Sequence, residues 1–251
     1  MDTASPRNPF LTVRRRLHEL SVAAKIIEAA VDEGRSVLTE VESKNLLSSY
    51  GIPVPPSVLV TGPQEADKAS DQIGFPLAVK IVSPDILHKT EVGGVIVDVS
   101  TREGLREAYS TVVMRVKREK PNAEIRGVLV EKMARPGVEV AVGCSTDPQF
   151  GHVVMFGLGG IYVELLQDVT FRIVPLTPID AQEMFDEIGG KAVLDGFRGM
   201  KPRDKNALAE ILMSVSRLLE ESPRIDQLDL NPIVSYSRGA LVVDAKTVLR
   251  R

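Results

Sequence analysis

Apolar residues at Leu17, Leu20, Ala24, Ile27 and Val31 recur at helical spacing, which predicts an amphipathic helix stopped by Gly34. Thr39 and Glu42 stand at the spacing of a capping box, in which each side chain satisfies a free N–H of the first helical turn. The helix they open runs to about Tyr50 and ends at Gly51, because Pro53, Pro55 and Pro56 block its continuation. Strands are predicted at Ser57–Val60, Phe75–Val82 and Val95–Val99. A surface helix over Pro63–Ile73 and a polar loop over Asp85–Gly94 separate them. A further helix covers Arg102–Lys120 until Pro121-Asn122 breaks it.

The second half is richer in strands. Ile125–Met133, Val138–Cys144 and His152–Phe156 read as strands, with Thr146-Asp147-Pro148-Gln149 as a turn. Gly157-Leu158-Gly159-Gly160 ends this run. Thr177 caps a helix with Pro178 at its first position. A second helix over Lys205–Glu220 carries Leu208, Ile211, Leu212, Val215 and Leu219 on one face. Strands at Gln227–Leu230, Ile233–Tyr236 and Ala240–Asp244 close the chain. The pattern is α+β, with two lobes joined near Ile125–Met133. Residues 1–35 form an arm and helix, residues 36–125 lobe one and residues 126–251 lobe two. A cleft between two such lobes is a common ligand site.

Composition narrows the function. The chain has 251 residues, 43% hydrophobic and 26% charged, an ordinary globular balance with room for a sizeable core. Its 31 basic and 34 acidic residues leave a net charge of -3, without the basic excess of a nucleic-acid binder. Cys144 is the single cysteine, so neither an intramolecular disulfide nor a cysteine-built metal site is possible, and a reducing cytoplasm is expected. No apolar run approaches the roughly 18 residues of a membrane span, so no membrane role is expected. Met1–Arg16 lacks the apolar core of a signal peptide; Arg14, Arg15 and Arg16 leave a transit peptide as the minor alternative.

Several residues could carry chemistry. Lys80 lies inside the apolar strand Leu77–Val82, where a charge is costly unless paired. It either meets an anion such as a nucleotide phosphate or reaches solvent at a strand end. Glu131 and Glu139 flank the lobe junction; each either accepts from an adenine or ribose or faces solvent or Lys132 and Arg135. Gly157, Gly159 and Gly160 let backbone approach an anion, although their spacing matches neither a P-loop nor a dinucleotide fingerprint. Glu164, Asp168 and Arg172 recur every four residues and would share one face of a helix, bound to a ligand or to each other. Asp229 and Asn231 lie on one face of a strand, and Asp244 ends the next, across a turn at Ser237-Arg238-Gly239. Such hard oxygens suit magnesium, or cap turns. His88 sits in the polar loop before Gly93-Gly94, either as a phosphoryl-accepting nucleophile or as an ordinary loop histidine. His18 and His152 receive no role.

In order and spacing, the segments Thr39-Glu40 to Pro53, Pro76–Lys80, His88–Val95, Glu131-Lys132-Met133, Phe156–Gly160 and Asp229–Pro232 together resemble the ATP-grasp (beta) subunit of ADP-forming acyl-CoA synthetases, relatives of succinyl-CoA synthetase. The resemblance runs from about Ser36 to Arg250 and implies an ATP-grasp fold with nucleotide bound between two α+β lobes. It further implies that Lys80 contacts the phosphates, that Glu131 and the backbone at Met133 hold adenine, and that Glu139 holds ribose. The glycines and Arg172 would complete the nucleotide site. Asn231 and Asp244 would bind Mg2+, and Asp229 would orient His88, the phosphoryl carrier between a partner and ADP. The implied reaction is acyl-CoA + ADP + phosphate to acid + CoA + ATP, an acid–thiol ligase running reversibly. No CoA-binding segment with a Rossmann start is present, so the implied partner is a CoA-binding alpha subunit, as alpha2beta2, without which the chain is inactive. The competing readings are a nucleotide-sensing ATP-grasp module without turnover and a succinyl-CoA synthetase beta subunit.

Overall fold

The computed structural model describes residues 22–160 and 167–250, so the N-terminal arm, His18 and Glu164 lie outside it. Among the described residues the chain builds two antiparallel sheets from ten strands. β1 (Ser57–Val60), β2 (Leu77–Val82), β3 (Val95–Val99) and β4 (Gly127–Lys132) form a four-stranded sheet in the order β1-β4-β2-β3. The second, six-stranded sheet runs β10-β8-β5-β6-β7, with β9 on β8. Its members are β5 (Val138–Asp147), β6 (Gly151–Leu158), β7 (Val169–Ile173), β8 (Ile225–Ser235), β9 (Ala240–Val242) and β10 (Lys246–Leu249).

Helices cover one face of each sheet. α1 (residues 22–32) closes at Gly34, whose φ of 71° is the left-handed conformation glycine tolerates best. α2 (Glu40–Ser49) opens with the expected reciprocal cap: Glu42 N–H donates to Thr39 Oγ1 and Thr39 N–H to Glu42 Oε2. α3 (Pro63–Ile73) and α4 (Arg102–Glu119) pack on the four-stranded sheet. α5 (Pro178–Glu187), α6 (Lys191–Asp195) and α7 (Lys205–Glu221) accompany the six-stranded one.

Two separate hydrophobic clusters result. One joins Leu77, Val79 and Ile81 of β2 to Leu105, Val112 and Val116 of α4. The other gathers Val140, Val142, Phe156, Phe185, Leu212 and Leu230. Ala23, Ile27, Ala30, Leu46, Leu47 and Tyr50 belong to this second cluster, so α1 and α2 pack with the six-stranded sheet. The strand β4 belongs to the four-stranded sheet, hydrogen-bonded between β1 and β2. The sheets are therefore not divided at residue 125: the chain starts on one, builds the other through Lys132, and returns. Linear order hides this because an amphipathic helix does not name the sheet that will cover its apolar face.

Other differences are local. Gln227–Leu230 and Ile233–Tyr236 are one strand, β8, running through the cis Asn231–Pro232 peptide. β10 and α6 were not anticipated. Asp168 and Arg172 share no helix, because Val169–Ile173 is an edge strand paired to β6. Its Val, Phe and Ile are β-favouring residues, which outweighs the four-residue charge spacing. Among the described residues no helix is long and apolar enough to cross a membrane. Burial pushes the Cys144 thiol up to about 12, leaving it a core residue without nucleophilic character at neutral pH.

Phe156 and Phe185 meet edge to face at 4.9 Å in the larger cluster, both fully buried. Phe156→Ala is expected to lower the free energy of unfolding by about 3–5 kcal/mol. Phe171→Ala, at an exposed position of β7, should change it by no more than about 0.5 kcal/mol. Urea denaturation of both variants checks the contrast.

Candidate active site

At the junction of the two sheets lies a buried ionic cluster. Capping places Glu40 in the first turn of α2, and helical spacing puts Lys44 one turn later, with the two side chains 2.7 Å apart. Lys80 enters from the centre of β2 and Glu131 from β4, opposite Ala78 in the ladder. Lys80 Nζ donates to Glu40 Oε1 at 2.8 Å and to the Val243 carbonyl at 3.0 Å, and pairs with Glu131 Oε1 at 2.9 Å. Two of its three N–H groups thus have oxygen acceptors, and the Glu131 carboxylate adds a close counter-charge. Lys44 also donates to Glu131 Oε2. Lys89, from the loop between β2 and β3, pairs with Glu40 Oε2 at 2.9 Å and lies 3.5 Å from Asp244 Oδ1.

The electrostatics follow from this packing. Burial alone would raise the Glu40 pKa, but the charges of Lys80, Lys44 and Lys89 overcome it and hold the carboxyl well below the usual range. Burial likewise works against the Lys80 ammonium, and Glu40, Glu131 and Asp244 more than compensate, raising its pKa. Both groups are therefore charged at neutral pH. Lys80 does not reach solvent at a strand end, and Glu131, 1% exposed, faces neither Lys132 nor Arg135. Glu40, Lys44 and Lys89 were missed in the sequence. The i,i+4 spacing of Glu40 and Lys44 was a signal, but it is equally the mark of a solvated helix face.

Beside the cluster, Asp229 and Asn231 project from alternate positions of β8. Val243 N–H donates to the Pro232 carbonyl at 3.0 Å, which brings Asp244 alongside Asn231. Desolvation and then the charge of Asp244 raise the Asp229 pKa, while Lys246, its cross-strand partner, opposes them. Asn231 Oδ1 accepts from Gly160 N–H at 3.3 Å, and Asp244 Oδ1 from Ala245 N–H at 2.9 Å. The three side chains supply hard oxygens with excess negative charge, which fits a divalent cation of the magnesium type. Among the described residues no set of three or more His, Cys, Asp or Glu could hold a metal by itself, so such an ion would draw remaining ligands from elsewhere.

A cleft of about 780 Å³ opens next to this set, lined by Glu139, Leu158, Gly159, Gly160, Asp168 and Gly190 among others. Its size suits a nucleotide-sized ligand. Gly157 and Gly159 are required by close packing: a Cβ would stand 2.7 Å from the Asp168 carbonyl and 2.8 Å from the Val140 backbone, respectively. Gly159 N–H already donates to the Glu139 carbonyl at 2.8 Å. Gly160, at φ 62°, brings its backbone against the Glu139 carboxylate, where a Cβ would meet Oε2 at 2.7 Å. Asp168 accepts from Gly189 and Gly190 N–H at 2.6 and 2.7 Å. Arg172 is not at the cleft; its guanidinium is held by Glu187 at 2.6 Å and Glu183 at 3.3 Å of α5. Met133 lies just beyond β4, with its N–H bound to the Pro76 carbonyl at 3.1 Å.

His88 stands on the loop from Ser83 to Gly94, 66% exposed and 3.9 Å from Glu91. Within the loop the Ile86 side chain is buried. Its Gly94 closes tightly on Ile81, where a Cβ would meet Cγ2 at 2.6 Å. His152, by contrast, is structural: its Nε2 lies 2.7 Å from the Ile225 carbonyl.

Because the folded Glu40 pKa is depressed, the stability it contributes is complete above the unfolded value of about 4.3 and is lost as pH falls through the folded value. Glu40→Gln leaves buried ammonium groups short of a counter-charge and should cost about 3–5 kcal/mol at pH 7. Urea titrations at pH 7 and pH 3 should show the gap between wild type and variant narrowing in acid; an unchanged gap would contradict this account.

The ATP-grasp domain model matches residues 29–249. Two Pyrococcus furiosus proteins are similar over nearly their whole lengths. The beta subunit of ADP-forming acetate–CoA ligase II is 43% identical over 91% of this chain and 98% of its own length. The beta subunit of ligase I is 45% identical over 93% of this chain and 100% of its own. The Archaeoglobus fulgidus ADP-forming acetate–CoA ligase I is 42% identical over 92% of this chain, which corresponds to 33% of that longer protein. Among solved structures, dinucleotide-forming acetyl-coenzyme A synthetase 1 of Ca. Korarchaeum cryptofilum, in complex with coenzyme A, Ca-AMPCP and HgCl+, superposes with a TM-score of 0.89 at 46% identity, covering 91% of this chain and 100% of that one. A second structure of that enzyme, with coenzyme A and Mg-AMPPCP, has its phosphohistidine segment pointing towards the nucleotide binding site; its TM-score is 0.81 at 42% identity, over 91% and 100% of the two chains. With the two-sheet architecture and the acidic set beside its cleft, these likenesses establish that the chain belongs to the ATP-grasp family, among the beta subunits of ADP-forming acetate–CoA ligases.

Proposed function

We propose that this chain is the nucleotide-binding subunit of an enzyme that converts acyl-CoA, ADP and phosphate reversibly into acid, CoA and ATP, working in the cytoplasm. The observation that carries the reading is the ion pairing of Lys89 with Glu40 and Asp244, which ties the segment of His88 to the end of β9 where Asp229, Asn231 and Asp244 gather. A phosphoryl carrier must stand near both the nucleotide and its charge-neutralising groups, since phosphoryl transfer is governed by positioning and electrostatics.

The nucleotide occupies the cleft at Glu139, Gly159 and Gly160, with the Glu139 carboxylate accepting from the ribose hydroxyls. The backbone at Met133 borders the adenine. Glu131 acts indirectly, by holding Lys80 and Lys44 in place. Lys80 reaches a phosphate by giving up one of its two acceptors, and the uncharged Val243 carbonyl is the one that costs less to leave. Gly157 sets the close packing behind this wall, and Arg172 braces β7 against α5. Asn231 and Asp244 would hold Mg2+, which when bound neutralises phosphate charge. Asp229, with its raised pKa, accepts a hydrogen bond from the His88 imidazole and aligns its free nitrogen for attack.

A CoA-binding alpha subunit supplies the other half of the reaction. There acyl-CoA and phosphate exchange to acyl phosphate and CoA; a partner histidine takes the phosphoryl group and frees the acid. His88 then accepts that group and passes it to ADP. The beta-subunit names of the Pyrococcus relatives support a separate partner. An alpha2beta2 assembly is the proposed stoichiometry.

The test is phosphohistidine labelling. This chain is mixed with its co-encoded CoA-binding subunit, Mg2+ and γ-labelled ATP, as wild type and as His88→Ala. Label should appear on both chains of the wild type and disappear from this chain in the variant. Equal labelling of the variant would remove His88 from the mechanism while leaving the nucleotide site intact.

A further inference from the structure

The loop that presents His88 is pinned firmly at both ends and weakly in the middle. At its start, Asp85 Oδ2 accepts from Glu124 N–H at 2.7 Å, and the Ile86 side chain is buried. At its close, Gly94 N–H donates to the Lys89 carbonyl at 2.7 Å and the Gly94 carbonyl accepts from Ile81 N–H at 2.8 Å. Between them Leu87 is 45% exposed, and His88 and Glu91 are more exposed still. Beneath the loop is a small cavity of about 30 Å³, bordered by Glu40, Ser83, Ile86 and Lys89. Packing therefore contributes little to holding this stretch down.

What ties it to the body of the protein is the Lys89 ammonium. It lies largely covered, 14% exposed, against Glu40 Oε2 at 2.9 Å and Asp244 Oδ1 at 3.5 Å. The Glu40 carboxylate, itself buried, is the nearer of its two counter-charges. Glu40 is itself immobile, because its other oxygen takes Lys44 and Lys80. The residue next to His88 is thus referenced through one carboxylate to the lysine proposed to meet phosphate.

We infer that Lys89 is the positioning residue for His88: its tether to Glu40 and Asp244 sets where the imidazole stands relative to the nucleotide cleft. The inference rests on the phosphoryl-relay reading of His88 for its catalytic consequence. The tether itself does not depend on that reading.

The test uses the full chain and its complex with the CoA-binding subunit, comparing wild type with Lys89→Met, Lys89→Gln and Lys89→Arg. Hydrogen exchange of the Gly93 and Gly94 amides on the full chain reads the tether directly. It should rise about tenfold in the Met and Gln variants and stay near wild type in Lys89→Arg, which keeps a cation in reach. In the complex, the rate of label appearing at His88 should fall about 10- to 100-fold in Lys89→Met and Lys89→Gln. KM for ADP should move less than about twofold, as removing a positioning group acts on turnover rather than ground-state binding. Recovery of the labelling rate in Lys89→Arg separates tethering from general damage. Unchanged amide exchange in both neutral variants overturns the inference. So does a KM that rises in step with the loss of rate, since Lys89 would then be a nucleotide contact. If wild type carries no label at His88 while the amides still respond to Lys89 substitution, the relay fails and the tether stands.

Discussion

The carboxylate of Glu40 is buried among three ammonium groups, and the arrangement of the two sheets depends on it. Its oxygens hold Lys44 of α2, Lys80 of β2 and Lys89 of the following loop. A second buried carboxylate, Glu131 of β4, closes the set. Taking any one of these charges into the interior alone is prohibitive; together they neutralise one another as ion pairs. Because α2 packs with the six-stranded sheet and β2 and β4 belong to the other, displacing one sheet from the other would strand a charge. The apolar residues form two separate clusters. An ionic joint between separately packed cores gives a defined register, because charge pairs are directional where hydrophobic contact is not.

This joint also shapes the chemistry beside it. Lys80 is held charged and oriented, with one uncharged acceptor at Val243. On the other side of that turn, the acidic set is under the opposite strain. Burial and then the charge of Asp244 raise the Asp229 pKa, against the opposing charge of Lys246. A magnesium–nucleotide complex, a cation with a polyanion, complements both regions at once. The glycines that border the cleft serve the same geometry by letting β6 and its exit lie against β5, β7 and Glu139 more closely than any side chain permits.

Much of this was legible along the chain. Periodicity and capping located α2, α3, α4, α5 and α7, since the Thr39–Glu42 and Thr177–Pro178 signals are local and act through the first helical turn. The pairing of Asp229 with Asn231 on one strand face followed from the two-residue repeat alone. The order of the motif segments around Lys80, His88, Gly157–Gly160 and Asp229–Pro232 carried the family, which the similarity to ADP-forming acetate–CoA ligase beta subunits then established.

Tertiary structure decided the partners. Nothing within Thr39–Tyr50 says that Glu40 will meet Lys80, forty residues on, or that Lys44 will meet Glu131, eighty-seven residues on. The same i,i+4 pair on an exposed helix would be an ordinary solvated bridge. Arg172, read along the chain as bound to a ligand or to its charged neighbours, pairs with Glu187 from an edge strand, because β propensity and sheet pairing set Val169–Ile173 where charge spacing suggested a helix. Local sequence determines what each segment is, through interactions a few residues long. Which buried charges neutralise one another is settled only when distant segments are brought together, because desolvation and Coulomb attraction depend on where each side chain finally stands.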